Sequence, residues 1–221
     1  TTLKTIAQRM AQGIRTSANE VYVVEFASIK PRTISCRGPS GKFTLERETT
    51  KKFLQGRDIR RYALRRSSKA VLVPYELKDT RMILMEENEL RDKYPRTYKY
   101  LSKHKKRLQS REGGRMRRSD WYAYVYPKNL EIMSQRKILA PDIAERASFA
   151  LDINGEYAYT SGYGITLKDA VPESDLYVLG LLNSALLDFF LKRVSTVIRG
   201  GYVRYFTQYI EQLPFRPIDF S

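Results

Sequence analysis

The chain has 221 residues, 42% of them hydrophobic, which suits one sizeable core with at most a small appended lobe and argues against disorder. Lys and Arg number 40 against 24 Asp and Glu, a net charge of +16, so an acidic partner is expected, nucleic acid before anionic membrane. A single cysteine, Cys36, and a single histidine, His104, exclude a disulfide framework, a cysteine-based zinc site and metal centres needing several imidazoles. The most apolar stretch, Leu176 to Leu191, is interrupted by Asn183 and Asp188, so no transmembrane helix is expected. The N-terminus carries no apolar leader. With Thr1 first and a helical lead-in, the chain reads as a domain cut from a longer protein.

In chain order, Leu3, Ile6 and Met10 share one face of a short helix ending near Gly13. Val21 to Phe26, Lys42 to Leu45 and Ala70 to Val73 read as strands, and Thr50 to Gln55 as a short helix closed by Gly56. Glu86 to Asp92 is helical, and Pro95 opens a second helix with Tyr94, Tyr98, Leu101 and Leu108 on one face. A basic loop follows at 110–120, where a subdivision of the domain is expected. Trp121 to Tyr126, Lys137 to Ala140 and Tyr163 to Leu167 read as strands. Asn154-Gly155 predicts a type I′ hairpin between Ala147–Ile153 and Glu156–Thr160. Ser174 caps a long, largely apolar helix running to about Val194. The order of elements is mixed, so the expected fold is α+β, with a mostly antiparallel sheet and a long buried C-terminal helix.

Enzymatic motifs are sparse. Gly162-Tyr163-Gly164 follows a strand but opens no helix, so it is no dinucleotide or methyl-donor loop, and no Asn/Asp-Pro-Pro-Tyr motif is present. Pro141-Asp142 begins like a metal-dependent nuclease motif, yet none of Glu145, Asp152 and Glu156 has Lys two positions on. His104 sits in a basic run without an acidic orienter. The basic charge is more telling. Lys99 to Arg118 holds nine Lys or Arg and one Glu, half of the whole surplus. Its lysines, Lys103 and Lys106 among them, suit phosphates. Arg111, Arg115, Arg117 and Arg118 suit guanine edges in a groove. Two smaller clusters carry Arg57, Arg60 and Arg61, and Arg199, Tyr202 and Arg204. Trp121, Tyr163 and Tyr202 are further contact candidates, with core packing the rival reading for each.

Several segments, in order, carry a resemblance. They are Gly13-Ile14-Arg15-Thr16 with Asn19; Phe53-Leu54 to Gly56-Arg57-Asp58-Ile59-Arg60-Arg61-Tyr62; Tyr94-Pro95 through Leu108 and Arg111; Trp121-Tyr122; Lys137-Ile138-Leu139-Ala140-Pro141; Ser148 to Asp152; Leu179 to Ser184; and Glu211-Gln212-Leu213-Pro214. The chain resembles the TaqI-like C-terminal specificity domain, the target recognition domain of many bacterial adenine-specific DNA methyltransferases and of fused restriction-modification enzymes. It departs at Thr16-Ser17-Ala18-Asn19, where the family usually has Thr-Gly-x-Asn. The resemblance implies one specificity domain over 1–221, itself without catalytic or metal residues, that grips duplex DNA. A methyltransferase domain, in cis or in trans, then flips out adenine and methylates N6. S-adenosylmethionine, with Mg as a further candidate, would belong to the catalytic domains. A cytoplasmic, membrane-free protein of bacterial defence is expected. The alternatives are a small metal-dependent nuclease using Asp142 and Asp152, and a non-specific nucleic-acid binder.

Overall fold

The computed structural model describes residues 1–38 and 41–218. The strands are β1 (Ala7–Gln12), β2 (Val23–Ile29), β3 (Thr33–Gly38), β4 (Gly41–Glu46), β5 (Thr50–Gln55), β6 (Ile59–Arg60), β7 (Ala63–Leu64), β8 (Lys69–Leu72), β9 (Tyr75–Lys78), β10 (Arg81–Leu84), β11 (Lys137–Pro141), β12 (Ile143–Ala144), β13 (Ala150–Asp152), β14 (Tyr157–Thr160), β15 (Gly162–Leu167), β16 (Val197–Ile198) and β17 (Tyr202–Arg204). The helices are α1 (Leu3–Ile6), α2 (Asn19–Tyr22), α3 (Glu87–Lys93), α4 (Pro95–Lys103), α5 (Lys105–Gln109), α6 (Arg111–Gly114), α7 (Asp175–Leu182), α8 (Ala185–Val194) and α9 (Thr207–Ile210). The fold is α+β with antiparallel pairing, as expected. It divides into two compact units: Thr1–Gly13, Leu54–Arg66 and Ile132–Ser221 form the first, Ile14–Phe53 and Ser67–Glu131 the second. The basic segment 110–120 lies inside the second unit.

In the first unit, β1, β15, β11 and β13 form an antiparallel sheet. Ile138, Ala140, Phe149 and Ile165 from this part of the chain pack with Val178, Leu182, Leu187 and Leu191 of α7 and α8. Each buried Val, Leu, Ile or Phe side chain among them contributes about 1.5–3 kcal/mol. Leu213 and Phe215 return to α1, where the Leu3 amide donates to the Leu213 carbonyl at 2.9 Å. In the second unit the antiparallel order is β5, β8, β2, β3, β4. Helix α4 packs on β4, which also supplies its cap: Glu46 accepts from the amides of Arg96 (3.1 Å) and Thr97 (2.8 Å). A carboxylate at the positive end of a helix satisfies donors that the helix cannot.

Five expectations are corrected. The N-terminal helix ends at Ile6, and Met10 lies in β1 opposite Ile165. Thr50 to Gln55 is a strand, because Thr50, Lys51 and Lys52 ladder onto Leu72, Val71 and Ala70 and both Phe53 and Leu54 are buried. Asn154-Gly155 turns the chain, with Gly155 at φ +61, but β13 bonds to β11 rather than to β14. The cause is Asp152, whose carboxylate folds back onto the amides of Glu156 (2.9 Å) and Tyr157 (3.0 Å). The long C-terminal helix is two. Ser174 caps α7 as expected, accepting from the Tyr177 amide at 3.2 Å. Asn183 then leaves the helix so that its amide pairs with both backbone groups of Phe149, at 3.0 and 2.9 Å, and Ser184 caps α8. Nor is it wholly buried: Leu176, Leu186 and Phe189 are exposed. Among the described residues no helix is long and apolar enough to cross a membrane.

The fifth correction is Trp121 to Tyr126, which is turn rather than strand. Its backbone is satisfied by side chains instead of a ladder. Tyr22 donates its hydroxyl to the Tyr122 carbonyl (2.8 Å), and Tyr75 receives the Tyr124 amide on its own (2.7 Å). Tyr122 and Tyr124 donate to the carbonyls of Met85 (2.6 Å) and Leu72 (2.5 Å). Burial pushes all these phenols up, Tyr122 to about 12, and does the same to Tyr159 and Tyr205 in the first unit. A phenol raised above its unfolded value of about 10 stabilises the fold fully below that pH and less as pH climbs through the folded value. Urea midpoints are therefore expected to hold up to about pH 10 and then fall, with the phenolate absorbance of these buried tyrosines appearing only as the chain unfolds. Phenolate absorbance that reaches its full amplitude while the chain is still folded would contradict this.

Candidate nucleic-acid interface

The basic stretch is built by a helix that breaks twice. Pro95 supplies the first turn of α4, the chain yields at His104, and α5 resumes to Gln109. Lys103 and Lys106 are exposed on it. Other cations are engaged: Lys105 lies 4.8 Å over the Trp121 ring, and Arg107 meets Glu20 at 2.5 Å. Glu112, Gly113 and Gly114 then take positive φ and throw the chain outward. Arg115, Arg117 and Arg118 follow on this turn, all exposed, with Arg118 paired to Asp120 at 2.5 Å.

Arg111 departs from its neighbours and is corrected. It is 3% exposed, and its guanidinium donates to the carbonyls of Leu108 (2.8 Å), Thr16 (3.0 Å), Trp121 (2.7 Å) and Ala123 (2.9 Å). Four of its five N–H donors are spent on backbone, so Arg111 organises the second unit rather than facing a groove. Trp121 is corrected likewise: it is buried, with its indole N–H donating to Glu87 at 3.3 Å.

Sequence reasoning missed a cleft beside Lys103. It measures about 960 Å³ and lies between α4 and the β3–β4 hairpin. Arg37, Lys42, Arg96, Lys99 and Lys103 line it, with Glu20 and Glu25 at one side. Phe43 stacks on Tyr100 in its wall, centroids 4.8 Å apart and planes 13° from parallel. Lys99 and Lys103 are four apart on one helix, which was legible. That Arg37 and Lys42 join them depends on strand pairing and was not.

In the first unit Arg57 stands on a single 3₁₀ turn after Gly56, its Nη2 donating to Gln55 at 2.9 Å. A Cβ on Gly56 would meet the Ser161 carbonyl oxygen at 2.2 Å, so only glycine fits there. Arg60 and Arg61 are exposed on the β6–β7 hairpin. Arg199 and Tyr202 are exposed on the β16–β17 hairpin, whose connection holds Gly200 and Gly201 at positive φ. Arg204 is half-buried, 5.0 Å over the Phe206 ring. Tyr163 is corrected: it is 7% exposed, a core residue of β15 whose ring meets Phe206 at 6.2 Å.

The residues weighed for chemistry are otherwise occupied. Asp152 is buried and paired with Lys137 at 2.6 Å, and Lys137 is itself sealed, donating also to the carbonyls of Met133 and Gln135 at 3.1 Å. Desolvation lowers the Lys137 ammonium below its usual value despite Asp152. Among the described residues no group of three His, Cys, Asp or Glu is placed to hold a metal ion. The nuclease reading therefore loses its second carboxylate. Gly162 and Gly164 serve close packing inside β15, against the Ala140 carbonyl and the Tyr159 hydroxyl, and do not fit a methyl donor.

What this geometry defines is an antiparallel α+β domain with exposed cations carried on turns and hairpins. The chain belongs to the TaqI-like C-terminal specificity domain family, whose model matches residues 51–215. It is 24% identical over 226 residues to the Type II restriction enzyme and methyltransferase RM.Eco57I of Escherichia coli, covering 96% of this chain and 23% of that protein. It is 24% identical to the Type II methyltransferase M.XhoI of Xanthomonas vasicola, over 96% of this chain and 34% of the relative. With the Type II methyltransferase M.BstVI of Geobacillus stearothermophilus the identity is 25%, over 91% and 32%. The chain thus spans a quarter to a third of the length of these relatives.

Proposed function

We propose that this chain is the domain with which a Type II restriction-modification methyltransferase recognises its duplex DNA target. It performs no chemistry itself and presents the DNA to an adenine-specific methyltransferase domain, in cis or in trans, where S-adenosylmethionine binds. The observation that carries this reading is family membership over most of the chain, combined with arginines displayed on tight turns of both units. Arg115 and Arg117 are the base-reading candidates, because a fork of donors on a rigid turn can address guanine N7 and O6. Lys103 and Lys106, with Arg57, Arg60, Arg61, Arg118, Arg199, Tyr202 and Arg204, serve phosphates and flanking contacts. Selection from a randomised duplex library at near-physiological salt tests the reading; a short enriched motif is expected, and retention without a motif leaves a non-specific binder.

Arg117→Ala is expected to relax preference at one position of that motif by about 1–3 kcal/mol, with the thermal midpoint unchanged. Lys103→Ala should weaken all sequences alike and flatten the salt dependence by about one phosphate contact. Unaltered preference in the arginine variant would remove it from the interface.

A further inference from the structure

The β6–β7 hairpin has an unusual apex. Ile59 pairs with Leu64 and Arg60 with Ala63, leaving Arg61 and Tyr62 as a two-residue turn. Two-residue hairpin turns favour Asn-Gly and Gly-containing pairs, because they need positive φ. Here the position with positive φ, +60, is a tyrosine. A bulky residue in that conformation is an outlier that the surrounding structure must enforce. The Tyr62 amide is tied to the Phe149 carbonyl at 2.8 Å, and the Arg65 amide to the Asp58 carbonyl at 2.9 Å. Asp58 in turn accepts from the Gln55 amide at 2.8 Å, and Ile59 is buried as the root of the hairpin.

The side chain stands outside the core. The Tyr62 ring is 54% exposed, with the Arg61 guanidinium 5.5 Å above it. Within four or five residues of it in the chain are Arg57, Arg60, Arg61, Arg65 and Arg66, all exposed, with Asp58 the one acid in the ten residues from Arg57 to Arg66. An aromatic ring among exposed arginines offers what a DNA groove pairs, an apolar face for a thymine methyl at a base edge and guanidinium groups for the flanking phosphates.

We infer that Tyr62 is a base-contacting residue on the exposed turn of the β6–β7 hairpin, its positive-φ backbone presenting the ring to DNA among arginines that hold phosphates. The inference rests on the proposed recognition of duplex DNA. Its test uses the 221-residue chain and a labelled duplex carrying the motif enriched in the selection above, or a random-sequence duplex where none is enriched. Tyr62→Gly and Tyr62→Asn both suit positive φ, so the thermal midpoint should stay or rise while affinity falls about ten-fold. The slope of log affinity against log salt should not change, since no phosphate contact is lost. Tyr62→Phe should bind within about two-fold of wild type, because the apolar contact needs only the ring. Glycine and asparagine variants that bind like wild type would overturn the inference while leaving DNA recognition intact. So would a fall in their thermal midpoint, which would make the ring a packing element. Absence of duplex binding by the wild-type chain would instead overturn the recognition reading, and this inference with it.

Discussion

Arg111→Met is expected to cost the second unit about 2–6 kcal/mol, because two buried backbone carbonyls lose their donor. Methionine fills similar space but donates nothing. The Ala123 carbonyl keeps a neighbour in the Tyr22 hydroxyl at 3.3 Å, whereas the Thr16 and Trp121 carbonyls lose the donor that faces them. A buried acceptor left without a partner costs about 1–3 kcal/mol. Arg111→Lys should recover only part, since one ammonium cannot reach carbonyls contributed by Thr16, Leu108, Trp121 and Ala123 at once. Denaturant titration by far-ultraviolet circular dichroism measures both. A loss below about 1 kcal/mol for the methionine variant would show that the carbonyls find other donors.

Lys137→Met should have a comparable effect on the first unit, about 3–5 kcal/mol, because it strands the Asp152 carboxylate in a site closed to water. That carboxylate keeps the amides of Glu156 and Tyr157, so the turn is weakened rather than erased. Adding Asp152→Asn removes the uncompensated charge, and the double variant should be more stable than Lys137→Met alone. A double-mutant cycle by urea unfolding reads the coupling directly. Additive losses would show that the two side chains do not stabilise each other and would overturn this expectation.

Much of the scaffold was legible because its signals are local. Pro95 at a helix start, Ser174 as a cap and the apolar run Lys137 to Ala140 each act within a few residues. The failures share a physical cause, which is that distant partners outbid local preference. Trp121 to Tyr126 has strand composition, yet side chains of Tyr22, Tyr75 and Arg111 claim its backbone. Asp152 looked like a nuclease carboxylate because nothing nearby in sequence shows Lys137 turning inward. Arg111 stands three residues after Leu108 on the same buried helical face, but Arg115 keeps that spacing too, and only the positive-φ break at Glu112, Gly113 and Gly114 separates the two. The family resemblance, carried by pieces spread along the whole chain, was legible where single contact residues were not.

Trp121 is the only tryptophan in the chain, buried in the second unit under Lys105. The protein therefore carries a built-in optical reporter confined to one of its two units. Indole emission should follow the unfolding of the second unit alone, while circular dichroism follows both. Arg111→Met should shift the emission transition, and Lys137→Met should shift mainly the dichroism. The separation between the two curves then measures how far the units unfold as one.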